Sequence, residues 1–162
     1  MRHFERIQAA LMIIILAYGV LVSAPVILGD RVVEPFTELG LLGPEMKLGD
    51  YPRMVEVGEP IDLYLYLGNH EGELMYYRVL VKQGDQSMNV SDTDPYEGGS
   101  LMQYDWVLND ESNNTMPISL RLTESGVNRR LVFELYKYEP ASRMFAYDGI
   151  WVQLWMNVTN PQ

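Results

Sequence analysis

Residues Ala9–Leu28 read AALMIIILAYGVLVSAPVIL, twenty consecutive residues without a charge. At about 1.5 Å of rise per residue, such a helix spans the roughly 30 Å hydrocarbon core of a bilayer. A buried core helix is one alternative, but core helices usually keep a polar stripe and this run has none. A cleavable signal peptide is the other, with an apolar core of about 7–15 residues before a small-residue cleavage site. Here the run is longer, and Pro25 follows the Ser23-Ala24 pair where cleavage would fall. The pattern predicts a retained transmembrane helix over residues 9–28, in contact with membrane lipid. Arg2, His3 and Arg6 precede it with Glu5 the one acid, whereas Asp30, Arg31 and Glu34 follow. That bias places residues 1–8 in the cytoplasm and everything after Leu28 outside, as a single-pass protein of the cell membrane. Gly19 and Ser23 share a helix face, where small residues let a second helix approach.

The whole chain has 162 residues and a net charge of −10, and the cytoplasmic flank contributes +1, so the exported part carries −11. An acidic surface favours solubility and argues against nucleic acid as a partner, since phosphate contacts need a basic face. Cysteine is absent, which removes disulfide frameworks, thiolate metal sites and thiol nucleophiles. Two histidines, His3 and His70, nearly exclude a multi-histidine metal site.

Beyond the span the periodicity is two. Residues 29–52 are punctuated by Pro35, Gly40, Gly43, Pro44 and Gly49 and read as an extended stalk or a first strand at Phe36–Leu42. From residue 53 to 162 alternating runs follow one another: Ile61–Leu67, Met75–Lys82, Ser87–Val90, Leu101–Leu108, Ile118–Leu122, Leu131–Leu135, Met144–Tyr147 and Ile150–Val158. Asp148-Gly149 reads as a hairpin turn between the last two. Seven to nine short strands with turns every about 8–12 residues predict an all-β, immunoglobulin-like sandwich after one N-terminal transmembrane helix.

Three sequons occur, at Asn89, Asn113 and Asn157, where chance would give about 0.6 in a chain of this composition. They predict N-glycosylation outside the membrane. The segments Phe36-Thr37-Glu38, Leu42-Gly43-Pro44, Tyr51-Pro52, Val57-Gly58-Glu59-Pro60, Asn69-His70-Glu71-Gly72 and Tyr77 resemble the exported domain of archaeal membrane proteins of domain-of-unknown-function family 1616. The resemblance implies an archaeal source and a sandwich outside the cell membrane, and brings no catalytic residues with it. Typical members have several spans before this domain and this chain has one.

Few residues suggest chemistry. His70-Glu71, in the loop after the Ile61 strand, could be a base pair or half a metal site, or else a turn in which Asn69 and Glu71 cap amides. Asp92, Asp94 and Glu97 form either a solvated acidic loop or a weak calcium site, without an EF-hand pattern. No triad or phosphate loop appears, so neither an enzyme nor a cofactor is expected. Alternation sets Trp151, Gln153, Trp155 and Asn157 opposite Ile150, Val152, Leu154 and Met156, and sets Tyr64 and Tyr66 opposite leucines. If the leucine faces make the core, these aromatics line an outer face, which suits protein interfaces and sugar stacking; the alternative is that Trp151 or Trp155 points inward and the aliphatic face is covered elsewhere. The sequence thus predicts a non-enzymatic sandwich that docks another membrane or envelope protein. The alternative is a tethered glycan-binding module.

Overall fold

In a computed structural model of the chain, residues 4, 8, 11–20 and 34–161 are described. Residues 11–20 are helical, and among the described residues no helix is long and apolar enough to cross a membrane. The span expected over 9–28 lies partly outside the described residues, as do Arg2, His3, Glu5, Arg6, Ser23, Asp30 and Arg31. The chain divides into two compact units, Met1–Glu34 and Pro35–Gln162.

The second unit is a two-sheet sandwich of eight strands: β1 (Phe36–Leu42), β2 (Met54–Glu56), β3 (Pro60–His70), β4 (Met75–Gly84), β5 (Gly99–Leu108), β6 (Ser112–Arg121), β7 (Gly126–Glu139) and β8 (Met144–Thr159). One sheet has the order β1-β3-β6 and the other β2-β8-β7-β4-β5. All pairs are antiparallel except β2, which runs parallel to the end of β8. The chain changes sheets at every step except β4 to β5 and β7 to β8. This Greek-key order, with three strands facing a sheet built on β4, β7 and β8, is the immunoglobulin-like arrangement.

The alternating leucines explain it. Ile61, Leu63, Leu65 and Leu67 of β3 face Val79 and Val81 of β4, Leu131, Phe133 and Leu135 of β7, and Leu154, Met156 and Val158 of β8 in one buried cluster. Each such side chain contributes roughly 1.5–3 kcal/mol on burial. Tyr77, fully buried near the start of β4, joins the cluster between the sheets.

Two segments differ from what the sequence predicts. Asp148-Gly149 is not a hairpin: β8 runs unbroken through it, and the register with β7 shifts between Glu134 and Tyr136. The extra residues bulge, and Gly149 takes φ +76°, which a glycine reaches without cost. The true hairpin is Pro140–Arg143, closed by Arg143 N donating to Glu139 O at 2.8 Å. Ser87–Val90 forms no strand; Asp85 accepts from Ser87 N and caps a turn there.

Candidate functional site: the outer face of the five-stranded sheet

A strand that faces solvent on one side alternates, yet β7 is buried without a break from Arg130 to Leu135. Leu131, Phe133 and Leu135 point into the core, so Arg130, Val132 and Glu134 must be covered from outside. The cover is the β4–β5 loop, residues 85–98. Its Tyr96 is 1% exposed, in a cradle where a Cβ at Gly84 or Gly98 would overlap the ring.

The loop is fastened by charge. Glu134, fully buried, takes the Lys82 ammonium at 2.8 Å, the Tyr96 backbone N–H and the Tyr136 hydroxyl at 3.1 Å. Lys82 also donates to Tyr96 O at 2.6 Å. Tyr147 donates its hydroxyl to Ser91 O at 2.7 Å. Burial, with the charges of Glu134, Asp92, Asp148 and Asp94, pushes the Tyr147 phenol up from its ordinary 10.0 to about 12. Burial and Glu134 raise Tyr136 as well.

Beside this loop lies an aromatic platform. Arg130, 8% exposed, sets its guanidinium 5.1 Å from the Tyr96 ring centroid, 5.5 Å from Trp151 and 5.1 Å from Trp155. Its Nε donates to Gln153 Oε1 at 2.6 Å and its Nη1 to Met88 O at 2.9 Å. These bonds fix the guanidinium, and the guanidinium fixes the rings. Trp155 remains 39% exposed and walls a groove of about 540 Å³ with Asp50, Tyr51, Pro52 and Arg53. Arg130 and Glu134 were not legible as functional positions, since only the structure shows β7 buried on both faces there.

At the other end of the sheet, Tyr76, Tyr138 and Phe145 pack with ring centroids 4.9–5.7 Å apart. Arg78 lies 3.9 Å over Phe145 and is held bidentately by Asp105, through bonds of 2.9 Å from Nε and Nη2.

The remaining candidates scatter. Tyr64 and Tyr66 lie on the outer face of the three-stranded sheet, away from the tryptophans, so the aromatics form two surfaces. Tyr66 donates to Glu38 at 2.7 Å, a bond that with burial raises its pKa. Tyr64 lines a shallow groove with Pro44, Asp62 and Pro117.

His70 and Glu71 do not act together. His70 stacks on Phe36, centroids 4.5 Å apart, and lies 3.1 Å from Glu111 and 3.7 Å from Glu38. Glu71 turns the other way, to Lys137 at 2.6 Å and the Thr37 hydroxyl at 2.6 Å. Burial alone would raise its pKa, but these two donors outweigh burial and hold it below the usual carboxylate range. Lys137 is shared with Asp148 at 2.8 Å, and burial pushes Asp148 up against that partner. The turn reading of the His70 loop holds for Asn69, whose Oδ1 accepts from Glu71 N at 3.0 Å.

Asp92, Asp94 and Glu97 do not converge: Asp94 caps its own turn through Ser91 and Thr93, and among the described residues no three acidic or histidine groups could hold a metal. Asn89 and Asn113 are exposed, on the loop and on edge strand β6. Asn157 is half-buried, and its Oδ1 already accepts from Asn128 N at 3.0 Å. Gly19 lies in the helical segment and Ser23 outside the described residues.

Residues 31–157 match the model of the family Domain of unknown function (DUF1616), and the chain belongs to that family. No curated protein sequence matches it. Among solved structures it is similar to the CARDB domain of the PF1109 protein from Pyrococcus furiosus, solved in complex with di-metal ions. That match has 11% identity, 82% of this chain and 100% of that chain covered, and TM-score 0.49. It is also similar to part of a beta-glucosidase from Listeria innocua in complex with glucose (10% identity, 77% and 16% covered, TM-score 0.46). A third likeness is to the human seminal plasma complex of Zinc 2-glycoprotein and Prolactin inducible protein (9% identity, 82% and 99% covered, TM-score 0.45).

Proposed function

We propose that this chain is a single-pass membrane protein whose exported sandwich is a non-catalytic interaction module, docking a membrane or envelope protein on the outer face of its five-stranded sheet. The observation that carries this reading is Trp155. A large ring left 39% exposed costs hydration, and here Arg130 and Gln153 hold the neighbouring platform rigid. Tryptophan and arginine in a fixed patch are the side chains from which binding hot spots are made.

The uncharged run Ala9–Leu28 supports the anchor, with the N-terminus in the cytoplasm. N-terminal sequencing of the mature protein tests it: a start near Met1 supports it and a start near Ala24 refutes it. Exposed Asn89 and Asn113 are proposed glycan sites, and Asn157 is a poorer one because its amide oxygen is engaged. Intact mass on native material decides this; the bare-polypeptide mass of 18.6 kDa would exclude all three.

One observation favours a second reading. The groove beside Trp155 adds Asp50 and Arg53, hydrogen-bonding groups next to a flat ring, which suits a sugar. Purification of the full chain from native membranes separates the two. A stoichiometric protein that stays bound in free sugar supports the docking module; release by sugar supports the glycan module.

A further inference from the structure

The β3–β4 turn and the β7–β8 hairpin stand side by side at one end of the sandwich. Between them lies a cleft of about 540 Å³, distinct from the Trp155 groove. Tyr76, Tyr138 and Tyr147 line it, together with Glu73, Glu139 and Asp148. Lys137 also reaches it, but that ammonium is taken up by Glu71 and Asp148. Glu73 and Glu139 are exposed and, among the described residues, no cation comes within 4.0 Å of either. Arg143, at the hairpin tip, is not part of the lining. The cleft therefore presents aromatic surface under an uncompensated negative rim.

We infer that this cleft receives a guanidinium group, the side chain of an arginine on a partner protein. The molecule itself shows what such rings hold. Arg78 sets its guanidinium 3.9 Å from the Phe145 ring centroid, that ring packs on the same Tyr76 and Tyr138 that line the cleft, and Asp105 is the acceptor. Arg130 is held the same way between Tyr96, Trp151 and Trp155, with Gln153 as acceptor. Both arginines combine a ring face with a planar acceptor. The cleft offers rings and carboxylates and has no guanidinium of its own. A guanidinium is preferred to an ammonium because it is planar, weakly hydrated and stacks while its edges donate. The net charge of −11 after Leu28 steers a basic segment towards it. The inference rests on the docking reading only for the source of the arginine.

The test needs no partner. The full chain, methyl-labelled and held in detergent micelles, is titrated with N-acetyl-arginine methylamide and followed by NMR. Parallel titrations use the neutral isostere N-acetyl-citrulline methylamide, and spermidine. The expected result is saturable shifts of the Ala141, Ala146 and Leu74 methyl groups with the arginine compound, and binding at least tenfold weaker for citrulline and for spermidine. The double variant Glu73→Gln/Glu139→Gln, both sites exposed, is expected to melt as the parent does and to bind the arginine compound at least fivefold more weakly. Citrulline binding as tightly as arginine overturns the inference. So does a double variant that binds like the parent, or shifts that spread without saturation over the acidic surface. Spermidine binding as tightly as arginine also overturns it, pointing to a free polyamine. A failure here leaves the Trp155 face intact, and loss of a partner through Trp155 leaves the cleft intact.

Discussion

The two outer faces of this sandwich are made from similar residues and do different things. On the three-stranded sheet a glutamate and a tyrosine meet at the surface: Tyr66 donates to Glu38, whose side chain is 42% exposed. On the five-stranded sheet a glutamate and a tyrosine also meet, but Glu134 is fully buried and the tyrosine is one of three groups bound to it. Loop 85–98 makes the difference. It brings its own backbone and Tyr96 down onto the sheet, so a polar pair becomes a closed network in low dielectric. An exposed pair tolerates losing a member because water replaces it; a buried network does not.

The comparison breaks most sharply at the two glutamates. Glu134→Ala leaves the Lys82 ammonium, 14% exposed, without its carboxylate, and is expected to cost about 3–5 kcal/mol in urea denaturation. Glu38→Ala is expected to cost less than about 1 kcal/mol. Similar costs at both sites would mean that the loop does not seal the five-stranded face. The tyrosines give the next largest contrast. Tyr96→Ala empties the Gly84–Gly98 cradle and is expected to cost about 3 kcal/mol, as for other buried aromatic truncations. Tyr64→Ala, half-exposed on the other face, is expected to cost less than about 1 kcal/mol.

A further contrast is alkaline. Tyr147 has its folded pKa raised to about 12 from 10.0, so the native state holds that proton more tightly than the unfolded chain. The stability this contributes is fully present below pH 10.0 and is lost as pH rises towards about 12; Tyr136 has the same sign. Denaturation midpoints from pH 9 to 12 should fall, and Tyr147→Phe should flatten the slope. A phenylalanine variant with the parent's slope would show that the buried Tyr147 phenol does not carry this pH dependence.

Most of the strand plan was legible because alternation is local: Ile61–Leu67 and Ile150–Val158 announce their inner faces without knowledge of neighbours. The same rule set Trp151 and Trp155 opposite Leu154 and Met156 but left open which face is the core; the burial of Leu154, Met156 and Val158 decides it. The loop was not legible, since Tyr96 reaches its place by contacts 38 residues away, to Glu134. Asp148-Gly149 misled because a dipeptide that suits a hairpin also suits a bulge, and only pairing with β7 decides between them. His70 and Glu71 are adjacent in sequence and face opposite ways, as neighbours at the end of a strand do, so adjacency was a poor guide to partnership.

The central claim is that the five-stranded face, and not the three-stranded one, is the docking surface. The direct measurement is made on full-length parent, Trp155→Ala and Tyr64→Ala, purified side by side from native membranes, with melting temperature and co-purifying protein quantified for each. The account predicts that all three melt within a few degrees of one another, that the parent and Tyr64→Ala retain a stoichiometric partner, and that Trp155→Ala loses it, a hot-spot loss of about 2 kcal/mol or more. Retention of the partner by Trp155→Ala, or its loss from Tyr64→Ala instead, would contradict the claim.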